Sequence, residues 1–249
     1  SCIITTPISP TRPHKASNRN PMPLRRDTPP RLVTPIIALD ACTYDFYPRY
    51  NIAPTQIAPV IARNGDRTVL QGMRWGLIPS WAEDVKIGHN LINARIETAA
   101  EKSAFREAWK HRRCLVPADG FYEWQSKNGS KQPSHFHLKG RQQFCFAGMW
   151  ESWLKPADKQ GDLFGSVGVD DTLLETFTIL TTRPNTLLAE LHDRMPVMLK
   201  PENAGDWLRG EEVSGLGEPF PSVDMVRVPV SGRVNNPRYD TQDCLVSLD

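Results

Sequence analysis

Four short stretches of this chain place polar side chains beside turn residues within apolar surroundings. They are RYNIAPTQ (49–56), LINARIETA (91–99), ADGFYEW (118–124) and LHDRMP (191–196). Asn51 ends an extended segment, while Asn93 and Arg95 share one face of a predicted strand, because side chains two residues apart point the same way. Glu123 lies between two aromatic residues, where desolvation would raise the pKa of its carboxyl group and suit it to general acid–base chemistry. His192 lies at a predicted helix end, shortly before a proline.

Each of these residues also fits an ordinary structural role. A single Asn or Arg in a strand is usually a surface or turn residue, and a glutamate between aromatic rings usually has one solvated edge. A histidine at a helix C-terminus is often a favourable cap. Their joint presence is more informative than any one of them, although spacing alone does not bring them together.

The cysteine at position 2 suggests a different chemistry. A cysteine at the N-terminus of a chain carries a thiol and an α-amine, and this pair traps aldehydes. Here Ser1 precedes Cys2 and no methionine stands in front of them. If Ser1 is retained, the nitrogen of Cys2 is an amide and only the thiol can react. The residues alone leave Cys2 either as the reactive end of the molecule or as an ordinary strand residue.

The composition indicates one large domain, or one domain with a tail. No apolar run approaches the roughly 18 to 20 residues that span a bilayer, and we expect no signal peptide. The five cysteines are dispersed without a CxxC pair, which favours reduced thiols in a cytoplasmic protein and provides no zinc motif. A formal net charge of +2 does not by itself indicate nucleic acid. No metal or organic cofactor is expected.

The first 36 residues differ in composition from the rest. They hold eight of the 22 prolines and six Lys or Arg residues against one acid, Asp27. Proline removes backbone donors and breaks helices, so this part of the chain is expected to be extended or loose, in the simplest case a basic, partly disordered tail. We therefore divide the chain into a proline-rich basic N-terminal segment over residues 1–36 and a domain over residues 37–249.

Turn residues and hydrophobic periodicity predict many strands and few helices after that segment. Hairpins are predicted over residues 56–79, turning at Asn64-Gly65, and over residues 134–153, turning at Lys139-Gly140. The other predicted elements are helices over residues 98–113, 186–192 and 202–210, a strand-turn-strand unit over 113–125, a buried strand over 175–185 and an inserted surface loop over 155–175. Strands with helices between them in this proportion indicate an α+β fold.

Six motifs occur in an order that resembles one protein family. They are RYNIAPTQ, MRWGLIPSWA, LINARIETA, RCLVPADGFYEW, LTTRPN followed by LHDRMPVML, and VNNPRYD. Together they look like the SOS-response-associated peptidase (SRAP) family, whose members process abasic sites in DNA. The resemblance runs from about residue 47 to residue 245 and implies a strand-rich single domain with a curved, barrel-like antiparallel or mixed sheet and peripheral helices.

The resemblance implies a role for each candidate residue. Cys2 would form a thiazolidine with the ring-opened aldehyde of an abasic site in single-stranded DNA, and Glu123 would be the nearby acid and base. His192 would help to open the sugar ring or protonate a leaving oxygen, Asn93 would position the cysteine, and Arg95 would hold the phosphate beside the lesion. The DNA groove would be lined by Trp81, Pro54, Asn51 and Thr181.

The start of the chain departs from the family pattern. Chains of the family begin Met-Cys-Gly-Arg followed by an aromatic residue, whereas this one begins Ser-Cys-Ile-Ile-Thr. The stretch CIITTPISP also resembles the chain's own TILTTRPNT (178–186), so it could instead be a decayed or misread copy of that motif. Cys2 therefore has two interpretations, the family nucleophile or part of an internal echo.

Three function classes follow from these observations. The first is covalent capture of abasic sites in the DNA damage or SOS response, by a cytoplasmic, nucleoid-associated monomer without a membrane partner. The second is a non-covalent single-stranded DNA-binding module whose N-terminus has degenerated. The third is a thiol peptidase or self-processing enzyme, which would need an oxyanion hole that the sequence does not identify.

Overall fold

The computed structural model describes residues 3–6, 36–45, 47–127, 129–155 and 173–248. Short 3-10 turns separate some of the regular elements. In chain order, the strands and helices of these residues are β1 (Ile3–Thr6), β2 (Ala41–Cys42), β3 (Arg49–Ile52), β4 (Ile57–Asn64), β5 (Arg67–Trp75), β6 (Asn93–Arg95), α1 (Ile96–Ala99), α2 (Arg106–His111), β7 (Arg113–Ala118), β8 (Gly120–Lys127), β9 (Ser130–Leu138), β10 (Phe144–Leu154), β11 (Leu173–Thr182), β12 (Met195–Pro196), β13 (Met198–Leu199), α3 (Pro201–Arg209) and β14 (Met225–Pro229).

Five of the strands close into a barrel. β4 pairs with β5 and β7, β7 pairs with β10, β10 pairs with β11, and β11 returns to β5. The β11–β5 contact is parallel and the other four are antiparallel. Alternate side chains of these strands fill one buried cluster that includes Val60, Met73, Trp75, Val116, Phe146 and Phe177. Closure removes the exposed strand edges and gives the domain a rigid apolar centre.

A second, antiparallel sheet lies against the barrel in the order β14-β9-β8-β1-β3. The chain passes from β7 of the barrel into β8 of this sheet across one residue, Asp119. Phe121 of β8 stacks on Phe136 of β9 with ring centroids 5.3 Å apart and meets Phe146 of the barrel edge-on at 5.8 Å. These aromatic contacts join the sheet to the barrel, so residues on β8 have fixed positions relative to those on the barrel strands.

The predicted α+β, strand-rich, barrel-like fold is confirmed. The hairpin predicted over residues 56–79 forms as β4 and β5, and Gly65 takes the positive φ of 61° that its turn requires. Helix α3 ends at Gly210 in the left-handed conformation, as its sequence predicts. Among the described residues, no helix has the length and apolar character needed to cross a bilayer.

Three predicted elements differ from the structure. The helix predicted over residues 98–113 is broken into α1 and α2 by turns. Residues 134–153 contain two strands, but β9 pairs with β8 and β14 whereas β10 belongs to the barrel, so no hairpin forms. Residues 186–192 make helical hydrogen bonds, from Ala189 N–H to Asn185 O and from His192 N–H to Leu188 O, without forming a regular helix. In each case packing in the complete fold overrides a local preference.

Four residues of the predicted N-terminal segment form an interior strand. β1 pairs with β3 on one side and β8 on the other, and all four of its residues are buried. The other described residue of that segment, Ile36, is half-buried. Cys2 and most of the segment lie outside the described residues, as does most of the loop predicted over residues 155–175. The boundary between residues 36 and 37 stays a prediction.

Candidate functional site

Asn93 and Arg95 lie on β6, a short strand that pairs with the barrel strand β11. The loop that follows β11 carries His192. β6 runs parallel to β11, with Ile179 opposite Asn93 and Thr181 opposite Arg95. The side chain of Arg95 is exposed, and it has no hydrogen-bond or ion-pair partner among the described residues. The Oδ1 atom of Asn93 is buried and likewise lacks a hydrogen-bond partner there. Within this part of the chain, β6 therefore carries an exposed cation and a buried amide oxygen, neither of which has a described hydrogen-bond partner.

Glu123 comes to this region from the other sheet. It lies on β8 opposite Ser134 of β9, and only 4% of its surface is exposed. Burial raises the pKa of the Glu123 carboxyl group, a rise that the nearby charge of His192 opposes and that of Asp193 reinforces. Glu123 and His192 are thus electrostatic neighbours although they are 69 positions apart in the sequence. A carboxyl group with a raised pKa can both donate and accept a proton near neutral pH.

The imidazole of His192 is held by its own loop. Its Nδ1 atom accepts a hydrogen bond of 3.0 Å from the backbone N–H of Arg194, so in the neutral ring the proton lies on Nε2. Asp193 Oδ1 is 3.1 Å from the same Nδ1 atom. With 38% of its side chain exposed, His192 can reach a bound substrate.

Arg227 ties the His192 loop to the strand that carries Glu123. From β14, its guanidinium donates to Glu190 Oε2 at 3.0 Å and to Gln125 Oε1 at 3.1 Å. Its Nε atom also donates to Ser134 Oγ at 3.2 Å, and Ser134 is the residue opposite Glu123. No sequence motif singled out Arg227, because a lone arginine in a strand near the C-terminus resembles any surface cation.

A second arginine, Arg194, lies on the barrel side of the site, where it contacts Glu97 and Thr181. Its guanidinium makes a bidentate pair with Glu97, with distances of 2.8 and 2.7 Å, and donates to the carbonyl oxygen of Thr181 at 2.5 Å. This pairing, first through the hydrogen bond from Arg194, lowers the pKa of Glu97. The charge of Arg194 is therefore already compensated, in contrast to that of Arg95.

The residues predicted to line a DNA groove divide into two groups. Trp81 is 59% exposed and Pro54 is partly exposed, so both present surface to a ligand. Thr181 is 7% exposed, and its hydroxyl donates to the carbonyl oxygen of Ala94 at 3.4 Å. The Thr181 side chain therefore stabilises the β6–β11 contact and offers little surface for the predicted DNA contact.

Asn51 requires a correction, because its side chain is fully buried. Its Nδ2 group lies within hydrogen-bond distance of the carbonyl oxygens of Val234, Asn236 and Tyr239, at 3.2, 3.1 and 2.8 Å. Asp240 Oδ1 accepts from the backbone N–H of Asn51 at 2.8 Å. Asn51 thus fastens the C-terminal segment to β3 and does not offer the predicted DNA contact.

The Asn51→Ala variant is expected to lower the free energy of unfolding by about 2–4 kcal/mol, because the substitution leaves buried carbonyl groups without donors. Urea denaturation measures this change, and Asn90→Ala, at an exposed position, is the matched control with an expected change within about 0.5 kcal/mol. Equal stability of the two variants, together with weaker DNA binding by Asn51→Ala, would restore the DNA-contact interpretation.

The comparisons with known proteins agree on one family. A family model described as SOS response associated peptidase (SRAP) matches residues 14–237. The abasic site processing protein YoqW of Bacillus subtilis is 39% identical over 209 residues, which cover 82% of this chain and 88% of that protein. The abasic site processing protein HMCES of Xenopus tropicalis is 29% identical over 236 residues, covering 82% of this chain and 67% of that protein.

Solved structures share the fold. A crystal structure of a protein from Bacteroides thetaiotaomicron superimposes with a TM-score of 0.64 at 26% identity and covers 77% of this chain and 81% of that one. The crystal structure of a phage-related protein from Bordetella bronchiseptica gives a TM-score of 0.57 at 27% identity, covering 82% of this chain and 92% of that one. The barrel with its attached antiparallel sheet is therefore an architecture that these proteins have in common.

Proposed function

This chain belongs to the SOS response associated peptidase (SRAP) family, and we propose that it recognises abasic sites in single-stranded DNA and captures them covalently through Cys2. The names of relatives such as YoqW and HMCES support abasic-site processing and a DNA-associated location. We further propose that the protein prefers single-stranded DNA and captures the lesion covalently. We also propose that it acts as a monomer at the nucleoid in the cytoplasm.

The observation that carries the proposal is the buried carboxyl group of Glu123 beside His192, next to the strand that Cys2 precedes. Cys2 is bonded to Ile3, and Ile3 pairs with Tyr122, which is bonded to Glu123. Cys2 and Glu123 are thus the sequence neighbours of two residues, Ile3 and Tyr122, that lie opposite each other on paired strands. Two proton-transfer groups near one nucleophile are what the condensation of an amine with an aldehyde requires.

The proposed reaction has three steps. In the form of the protein whose first residue is Cys2, the α-amine of Cys2 adds to the C1′ aldehyde of the ring-opened abasic site and gives a carbinolamine. Loss of water, with Glu123 donating a proton to the leaving oxygen, gives an imine. The thiol of Cys2 then adds across the carbon–nitrogen double bond, its proton passes to the nitrogen, and a thiazolidine forms. The net reaction releases one water and consumes no oxidant, reductant or metal.

His192 and Asn93 complete this chemistry. The partly exposed imidazole of His192 can give a proton to the ring oxygen of the closed sugar and so release the aldehyde. The Oδ1 atom of Asn93, which has no partner among the described residues, can accept a hydrogen bond from the amine of Cys2 and orient it. These roles need only proton transfer and positioning, so the proposed reaction requires no cofactor.

Arg95 and Trp81 supply the DNA contacts of the proposal. The exposed guanidinium of Arg95 can bind a phosphate in a bidentate manner beside the lesion. The exposed indole of Trp81 can stack on a neighbouring base, a contact worth about 1–3 kcal/mol per base. Stacking needs an unpaired base, which favours a single strand over a duplex.

The Arg95→Ala variant is expected to weaken binding to intact single-stranded DNA whatever its sequence. Loss of one phosphate contact should flatten the slope of log K against log salt by about 0.7. Fluorescence anisotropy over a salt series measures the slope. Arg63→Ala, at the far end of the β4–β5 hairpin, is the control and should keep the slope of the unmodified protein. An unchanged slope for Arg95→Ala would assign Arg95 a structural role.

A denaturing gel separates the proposed function from its two alternatives. Covalent capture gives a shifted band with an abasic oligonucleotide and none with an intact one. A non-covalent DNA-binding module gives no shifted band with either, although both bind in solution. A thiol peptidase cleaves a polypeptide, including its own chain, and the gel then shows protein fragments in the absence of DNA.

A further inference from the structure

A buried polar cluster holds β1 on the face of the sheet opposite to Glu123. It consists of Thr5 on β1, Asp119 at the junction of β7 and β8, and His135 on β9, which are 0%, 9% and 2% exposed. The hydroxyl of Thr5 donates to Asp119 Oδ1 at 2.7 Å and lies 3.2 Å from His135 Nε2. None of these residues takes part in the proposed reaction. Buried polar groups are costly unless paired, so a cluster of this kind calls for an explanation.

The direction of each hydrogen bond follows from the number of protons available. The Thr5 hydroxyl has one proton, and Asp119 accepts it, so the 3.2 Å contact is a hydrogen bond only if His135 Nε2–H donates to the Thr5 oxygen. Burial lowers the pKa of His135 to about 3, which keeps the ring neutral with one N–H to give. The chain of hydrogen bonds therefore runs from His135 through Thr5 to Asp119.

Asp119 holds Thr5 at two points. Its backbone N–H donates to the carbonyl oxygen of Thr5 at 3.1 Å, while its side chain accepts from the Thr5 hydroxyl. The opposing residue on β8 is Gly120, where a Cβ atom would lie 2.1 Å from His135 Nε2. Only glycine leaves room for the imidazole, so this stretch of β8 is shaped around the cluster.

Several other groups surround Asp119 and influence its charge. Burial raises the pKa of Asp119 to about 6, and the Thr5 hydrogen bond and the charge of Arg141 oppose the rise. His137 lies next to His135, with ring centroids 5.5 Å apart, and its Nδ1–H donates to the carbonyl oxygen of Leu138. The negative charge of Asp119 in turn contributes to the raised pKa of Tyr50, after burial.

We propose that Thr5 and Asp119 form a latch that fixes the register of β1 on β8 and so positions Cys2 against Glu123. β1 has only four residues, and a slip of one residue would turn every side chain to the opposite face of the sheet. The latch lies three residues after Cys2 and adjoins the strand of Glu123. Thr5 and Asp119 are positioning residues in this reaction. The inference rests on the proposed function of Cys2.

The test compares Thr5→Val, which keeps the shape of the side chain without the hydroxyl, with Thr5→Ser, which keeps the hydroxyl. Thr5→Val is expected to lower the maximal rate of adduct formation by about 10–100-fold, since a displacement near 1 Å can cost that much. The affinity for intact single-stranded DNA should not change, and Thr5→Ser should recover most of the rate. Asp119→Asn, which can still accept from Thr5, should lie between them.

Hydrogen exchange of the β1 amides gives a readout that does not depend on crosslinking. In Thr5→Val the amides of Ile3–Thr6 should exchange faster, while those of the barrel strand β10 should not. Equal exchange and equal crosslinking rates in all variants would overturn the latch. If the unmodified protein forms no adduct but Thr5→Val still loosens β1, the proposed function fails and the register role of the latch stands. If β1 and β10 loosen together in Thr5→Val, the cluster serves global stability and the latch is wrong.

Discussion

Replacing Cys2 with alanine is expected to abolish the denaturation-resistant adduct with abasic single-stranded DNA. In the form of the protein that begins at residue 2, alanine keeps a free α-amine but has no thiol, so the reaction would stop at an imine, which water reverses. Binding to intact single-stranded DNA and the unfolding midpoint should be unchanged. A denaturing gel after heating measures the adduct, and Cys42→Ala, at a half-buried cysteine of β2, is the matched control that should still crosslink.

The state of the α-amine is tested by comparing two forms of the protein. The form that begins at Cys2 is expected to give a heat-stable adduct, because a thiazolidine needs the free amine as its ring nitrogen. The form that retains Ser1 should give no adduct, or only a thiohemiacetal that denaturation reverses. Equal crosslinking by both forms and by Cys2→Ala would exclude Cys2 as the nucleophile and favour the internal-echo interpretation of the first residues.

The Glu123→Gln variant is expected to slow crosslinking by about 10²–10⁴-fold, the usual contribution of a positioned acid–base group. Glutamine keeps the size of the side chain but can neither take nor give the proton that dehydration of the carbinolamine requires. Single-turnover kinetics with an abasic oligonucleotide measure the rate. The control is Glu175→Gln, since burial also raises the pKa of Glu175 and its carboxylate accepts from Gln71, on the barrel strands β11 and β5.

The pH dependence of the rate gives a second test of Glu123. Burial raises the pKa of this carboxyl group, so it should change protonation closer to neutral pH than an exposed glutamate does. The rate of the unmodified protein should fall on the alkaline side as the group loses the proton that it donates to the leaving oxygen, and Glu123→Gln should lack that limb. A profile with the same alkaline limb in both proteins, or a variant as fast as the unmodified protein, would remove Glu123 from the mechanism.

Local patterns predicted those parts of the fold that local interactions form. The β4–β5 hairpin needs only alternating apolar residues around Asn64-Gly65, and α3 needs only its amphipathic run and Gly210. The predicted hairpin over residues 134–153 failed because both of its strands found better partners elsewhere, β9 in the second sheet and β10 in the barrel. A strand pattern specifies a strand but not the neighbour with which it pairs.

The site depends on contacts between parts of the chain that are far apart. The family motifs named Glu123 and His192, yet their proximity follows from the junction of the two sheets and from the bonds of Arg227 to Glu190 and Gln125. Asn51 was named for DNA contact because a motif marks a residue as important without saying which way its side chain points. In the structure that side chain faces the C-terminal segment.

The central claim is tested most directly by the intact mass of the product formed between the protein beginning at Cys2 and an oligonucleotide with one abasic site. We expect a single adduct whose mass equals the sum of the protein and the oligonucleotide less one water, with the modification on the peptide that begins at Cys2. An oligonucleotide without the abasic site should give no adduct. No adduct at all, an adduct on a residue other than Cys2, or the same adduct with intact DNA would contradict the account.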